Sequence, residues 1–135
     1  MTVEVICFVD TNVLIYALDA ADSKSAIAER LIERRPKLSV QVINEVVSVQ
    51  TKKLRRPMRD ALNVAAYLMQ RCQVVALTVA DVELSHQLIT DHNISMWDSL
   101  IVASALNANC TALYSEDMQH GQIVHGKLII QNPFL

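Results

Sequence analysis

The chain has 135 residues, 12 Lys/Arg against 14 Asp/Glu for a net charge of -2, and 52% apolar residues. So high an apolar fraction offsets the entropy of ordering the chain, which excludes disorder, and the length suits one compact domain over 1–135. Both glycines, Gly121 and Gly126, sit near the C-terminus, which excludes the glycine-rich phosphate loops of dinucleotide and P-loop sites.

In chain order, Val3 to Val9 is an apolar, β-branched run ending at Asp10, the pattern of a central parallel strand covered on both faces. Asp22 or Ser23 can cap a helix running to about Arg35, with Ile27, Leu31 and Ile32 as its stripe and Pro36 as its stop. Leu38 to Val40 reads as a short strand. A helix follows from Val42 to about Leu54, with Ile43, Val46, Val47 and Leu54 inward, closed by Pro57. Asp60 to about Cys72 is a further helix with Ala61, Ala65, Leu68 and Met69 at helical spacing, and Val74 to Leu77 is a candidate strand. Asp81 to His92 is amphipathic. Trp97 to Ala108 is apolar almost all round and predicts a buried helix. Thr111 to Tyr114 and Leu128 to Gln131 complete the strands, with the polar segment 115–126 between them. Strands alternating with helices predict a three-layer α/β domain with a mainly parallel sheet.

Cys7, Cys72 and Cys110 are odd in number and widely spaced, which predicts reduced, mostly buried thiols in a cytoplasmic protein. The opening residues have no basic region and meet Asp10 after a short apolar run, and no segment reaches spanning length, so neither signal peptide nor membrane span is expected. Charge is uneven: residues 30–59 hold nine Lys/Arg against Glu33 and Glu45, whereas residues 72–135 hold one Lys against six acids. A solvated basic surface explains the first cluster by itself. Alternatively Lys52, Lys53, Arg55, Arg56 and Arg59 hold a nucleic acid backbone while the acids gather cations.

Open parallel sheets place functional groups at the carboxyl ends of their strands, and there the acids fall. Asp10 ends the first strand, Asp117 follows the strand ending at Tyr114, Asp98 opens the apolar helix, and Glu45 lies early in the helix after the second strand. Singly, Asp98 can be a cap, Glu45 a solvated helix residue and Asp117 a turn former. Asp10, closing an apolar strand before Thr11 and Asn12, has no such packing explanation. Jointly they predict carboxyl oxygens converging on one cavity, where a divalent cation would relieve the cost of burying like charges. Carboxylates without His or Cys suit Mg²⁺ or Mn²⁺, whose natural chemistry is phosphodiester hydrolysis. A haloacid-dehalogenase phosphatase would need Asp at position 12, which is Asn, and no Gly-x-Ser-x-Gly elbow occurs. His120 and His125 flank the turns at Gly121 and Gly126.

Residues 8–17 (Phe-Val-Asp-Thr-Asn-Val-Leu-Ile-Tyr-Ala), the Glu45 helix, 96–105 (Met-Trp-Asp-Ser-Leu-Ile-Val-Ala-Ser-Ala), 113–121 (Leu-Tyr-Ser-Glu-Asp-Met-Gln-His-Gly) and the terminal Gln-Asn-Pro-Phe together resemble the PIN-domain family, over essentially the whole chain. In size and layout the chain looks like the VapC-type toxins of toxin–antitoxin pairs, which are Mg²⁺- or Mn²⁺-dependent ribonucleases. The resemblance implies an α/β/α sandwich, an RNA substrate, a homodimer and a cognate antitoxin. It implies that Asp10, Glu45, Asp98 and Asp117 form the catalytic quartet, with Asp10, Asp98 and Asp117 holding metal and Thr11, Asn12 and Ser115 in support. Glu116 beside Asp117 leaves open which of the two reaches metal. A non-catalytic nucleic-acid-binding or adaptor PIN domain is the alternative, and a small-molecule phosphatase a third reading.

Overall fold

The computed structural model describes residues 5–135. Strand β1 is Cys7–Val9, shorter than the apolar run. Its ladder to the neighbouring strand begins at Cys7, paired with Ala112, and Val5 before it is exposed; Val3 lies outside the described residues. Directly after β1 comes a helix that the sequence pattern does not reveal, α1 (Thr11–Ile15), followed by a 3₁₀ turn at Tyr16–Leu18. Five residues are too few for a helical period to show, and the element rests on Asp10 as its cap.

Helix α2 (Ser25–Glu33) leads to β2 (Lys37–Ser39). Ser39 ends the strand and caps α3 (Val40–Lys52), its hydroxyl accepting from Val42 N at 3.4 Å, so the helix starts earlier than the apolar spacing indicates. Likewise α4 (Met58–Arg71) starts directly after Pro57, whose fixed φ of -57° suits a helix entry. Then follow β3 (Gln73–Val75) and α5 (Val79–His92), opened by a reciprocal cap between Thr78 and Asp81. Helix α6 (Met96–Asn107), β4 (Ala112–Tyr114), β5 (Ile123–Val124) and β6 (Leu128–Gln131) complete the chain.

The sheet order is β3-β2-β1-β4-β6-β5, parallel except for β5. Strand β5 falls in the segment read as polar loop. It joins β6 through the three residues 125–127, in which His125 (φ 52°) and Gly126 (φ 62°) are both left-handed and Lys127 N donates to Val124 O (3.1 Å), a tight hairpin turn that usually announces itself as Asn-Gly. From β1 the chain steps outward to β2 and β3, then returns across the sheet to β4. With right-handed crossovers that reversal puts α5 and α6 on the face opposite α1–α4, giving the three layers expected from the sequence.

The core joins Phe8, Leu113 and Ile130 of the sheet to Ile101 and Val102 of α6 and Val42 and Val46 of α3, all at most 2% exposed. Three expected core residues are outside it. Leu54 (48% exposed) follows the end of α3, and Met69 (52%) lies beside the Ala61-Ala65-Leu68 stripe. Trp97 (63%) occupies the first turn of α6, before that helix enters the sheet's cover.

Candidate active site

Strands β1 and β4 are neighbours, with Val9 opposite Tyr114, so Asp10 and Ser115 leave the sheet side by side. Asp10 N donates to Tyr114 O (2.9 Å) and Ser115 N to Gln131 O (2.9 Å), which extends the ladder at the point where the strand order reverses. Asp10 is 6% exposed. Its Oδ1 accepts from Thr11 N (2.7 Å) and its Oδ2 from Ser115 Oγ (3.0 Å), a residue 105 positions away. Burial pushes its pKa up to about 6; the Ser115 and Thr11 bonds oppose the rise, and the negative charges of Glu45 and Asp98 add to it. Those two carboxylates therefore act on Asp10 through space.

Asn12 is the hub. Its Oδ1 accepts from Glu116 N (3.1 Å), which fixes the orientation of the amide, and its Nδ2 faces Asp117 Oδ2 at 3.0 Å and Asp10 Oδ2 and Ser115 Oγ at 3.4 Å each. Thr11 Oγ1 donates to Glu45 Oε2 (2.8 Å), and Gln41, one turn earlier on α3, donates to Glu45 Oε1 (2.8 Å). Asp98 sits in the first turn of α6, where the helix N-terminus favours a carboxylate. The cap itself is Ser95, whose hydroxyl accepts from Asp98 N at 3.3 Å, so the Asp98 side chain is not needed as one. Thus Thr11, Asn12 and Ser115 each touch at least one of the acids.

Asp98 and Asp117 line a pocket of about 210 Å³, while Glu45 lines a groove of about 560 Å³ with Val40, Leu77, Trp97 and Leu100. Asp10 lies buried and lines neither. Among the described residues, no three His, Cys, Asp or Glu groups stand close enough to hold an ion between them. Neutral donors tether Glu45 and Asp117 separately, and like charges have no reason to close further without a cation. Nor are the four neutralised by the protein: the salt bridge among the described residues joins Lys24 to Glu116 at 2.5 Å. Hard oxygen donors with uncompensated charge fit a divalent cation whose remaining ligands are water or phosphate.

Glu116 has other partners. Its Oε2 meets Lys24 and its Oε1 accepts from Tyr16 OH (2.7 Å), bonds that hold its carboxyl below the usual range, Lys24 contributing most. Lys24 Nζ lies 4.7 Å from the Tyr16 ring centroid and 5.2 Å from that of Phe134, and the two rings meet edge-on at 5.1 Å. Asp117 is exposed and faces the pocket, whereas Glu116 faces this clamp. Sequence reasoning singled out neither Lys24 nor Tyr16, and nothing in their spacing marks them.

Of the basic residues, Lys52, Lys53, Arg55 and Arg59 are exposed around the α3–α4 turn. Arg56 is turned inward: its guanidinium donates to Oε1 of Gln50, a fully buried residue, and its main-chain N to Gln50 O. Gln50 Nε2 in turn faces Val46 O (3.1 Å) and Ala61 O (3.5 Å), so Arg56 builds the turn. The three cysteines are buried and unpaired, and burial pushes Cys72 and Cys110 up to about 11. His120 Nδ1 accepts from Asn132 N at 2.9 Å, at the turn as expected.

A PIN domain model matches residues 7–124, and the chain belongs to the PIN-domain family. No curated protein matches it by sequence. Among solved structures it is similar to VapC20 of Mycobacterium tuberculosis, described as a toxin cleaving the sarcin–ricin loop, with 22% identity and a TM-score of 0.65 over 82% of this chain and 89% of that one. DNA-bound VapBC from Salmonella typhimurium gives 14% identity and 0.70 over 94% and 98%, and FitAcB from Neisseria gonorrhoeae 16% and 0.70 over 96% and 99%. At these identities the likeness is one of fold.

Proposed function

We propose that this chain is a metal-dependent endoribonuclease and the toxin of a toxin–antitoxin pair. The observation that carries the reading is the interlocked acid cluster at the β1–β4 switch point, where Asn12 and Ser115 tie Asp10 to Asp117 and, among the described residues, no cationic side chain compensates the charge. In this proposal Asp10, Asp98 and Asp117 hold Mg²⁺ or Mn²⁺, and Glu45 completes the site or orients the attacking water. Bound there, the ion lowers the pKa of a water and so supplies the nucleophile.

The remaining roles belong to the chain. Thr11 and Gln41 hold Glu45 with both carboxylate oxygens engaged by donors, which fixes the direction in which it accepts a proton or hydrogen bond. Asn12 keeps Asp117 from swinging out of line with Asp10, and Lys52, Lys53, Arg55 and Arg59 bind backbone phosphates farther along the RNA. Attack by water, and not by the ribose 2′-hydroxyl, leaves a 5′-phosphate and a 3′-hydroxyl.

Apolar side chains remain exposed on two sides, Val40, Met96 and Trp97 beside the Glu45 groove and Leu62, Tyr67 and Met69 on α4. These support protein partners, which we assign as a second copy of the chain and an antitoxin. Three unpaired thiols support the cytoplasm as its compartment, and we read 1–135 as a single nuclease domain.

The test is cleavage of a structured RNA pool with Mg²⁺, Mn²⁺ or EDTA, beside Asp10→Asn, with product ends mapped. Metal-dependent cuts bearing 5′-phosphates and lost in the variant are expected. A 2′,3′-cyclic phosphate end refutes the mechanism. Because no three acids among the described residues stand ready to hold an ion, a binding or adaptor domain is the second reading. It gains if the folded, antitoxin-free chain cuts nothing under any metal and binds RNA equally well as Asp10→Asn.

A further inference from the structure

Asp98 and Asp117 form one side of the 210 Å³ pocket described above, and the rest of that pocket has no part in the chemistry so far. Two turns build it. Asn93 closes α5 in the left-handed region (φ 53°), its N–H bonded to Ile89 O at 3.2 Å. Opposite, Gln122 N donates to Gln119 O (3.3 Å) and Ile130 N to Gln122 O (2.9 Å), which ties the loop to β6. Asn93, Gln119 and Gln122 line the pocket together with Ile94, Met118 and Ile130.

The chemistry of this lining selects its ligand class. A carboxamide offers two donors and an acceptor in one plane, the pattern that pairs with the edge of a nucleobase. The lining contains no Lys or Arg, so it offers a phosphate no cationic side chain of its own. His92 also lines the pocket, its ring 5.9 Å from that of His125, and an aromatic ring is a surface on which a base can stack. The volume lies below the roughly 300–1,000 Å³ of sites for larger ligands and suits a single base.

We propose that this pocket is a nucleobase subsite, in which Asn93, Gln119 and Gln122 read the base of a nucleotide adjacent to the scissile phosphate. Its adjacency to a scissile bond rests on the ribonuclease reading; base binding itself does not.

The test titrates the ¹⁵N-labelled chain with each of the four ribonucleosides, probes that carry a base without a phosphate, while the side-chain amide signals of Asn93, Gln119 and Gln122 are followed by NMR. One or two of the four nucleosides are expected to shift these signals. The double variant Gln119→Ala/Gln122→Ala, at two surface positions, is expected to bind them about tenfold more weakly or worse, as loss of a bidentate base contact implies. Asn93 is left in place because its left-handed backbone would strain alanine. In the cleavage assay the double variant redistributes the bases found at the mapped ends. An equal or absent response to all four nucleosides overturns the subsite, and unchanged ends in the double variant leave the nuclease reading standing without it. Selective nucleoside binding with no metal-dependent cleavage keeps the subsite and removes the nuclease reading instead.

Discussion

The acid edge and the basic turn are built on opposite plans. At the acid edge, Asp10, Asn12, Ser115 and Asp117 are bonded to one another across 105 residues of sequence, and one buried carboxylate has its pKa pushed up to about 6. At the basic turn, Gln50 and Arg56 are six residues apart and organise the loop by themselves, leaving Lys52, Lys53, Arg55 and Arg59 in solvent. Chemistry that needs placed atoms is made from long-range contacts. Attraction that needs only charge is made locally, where solvated side chains reorient freely.

The contrast is broken most sharply by Asp10→Asn, for which RNA cleavage should fall by about 10³-fold or more, the scale on which removal of a preorganised electrostatic group acts. A residual rate within tenfold of the parent would mean that the acid edge is structural. Next in size, Gln50→Ala should destabilise the chain by about 2–3 kcal/mol, through the cavity it leaves and the partner lost by Arg56, read as a lower midpoint in urea. An unchanged midpoint would show that the turn holds itself without Gln50.

The third test separates fold from function at one residue. Because the Asp10 pKa is raised in the folded state from 3.8 to about 6, the native chain binds more protons than the unfolded one between those values. Stability therefore falls as pH rises through that window, and above it the cost is complete. In EDTA at pH 7, Asp10→Asn should be more stable than the parent by about 1–2 kcal/mol, with the gain gone near pH 3.5. Added Mn²⁺ should raise the Tm of the parent and not of the variant; equal shifts would place the ion elsewhere.

At the basic turn, Lys52→Ala/Lys53→Ala should weaken RNA binding severalfold and flatten its log–log salt dependence by about 1.4, since each phosphate contact to a single strand contributes about 0.7. An unchanged slope would leave those lysines out of the interface. The smallest effect is expected for Lys24→Met, which frees Glu116 while Asn12 still holds its main chain: a severalfold higher Mn²⁺ requirement for cleavage, recovered by Lys24→Arg. If both variants behaved as the parent, the clamp would have no hold on Asp117.

What the sequence made legible follows the same division. Long apolar runs and capped amphipathic stretches showed the strand–helix alternation and hence the layers, because burial on two faces or one leaves a period of its own. Five-residue α1 and two-residue β5 are shorter than any period, whereas the turn at Gly126 is legible from its glycine. Asp10 and the segment carrying Asp117 could be placed at the ends of neighbouring strands because strand ends are readable. The division of Glu45 and Asp117 between two pockets could not be read, nor could the Lys24–Glu116 clamp, the Gln50–Arg56 pair or the amide-lined pocket, since each depends on which side chains meet across the folded chain.

Asn12 sets a condition on when the site exists. Its partners include Ser115, Glu116 and Asp117, so during synthesis a chain that has exposed β1 through α6 still lacks the pieces that align Asp10. The nascent protein passes most of its time on the ribosome without an assembled acid edge, which forms only once β4 has inserted beside β1. Truncations upstream of residue 115 thereby lack every one of these contacts to Asn12, whatever part of the earlier fold they retain.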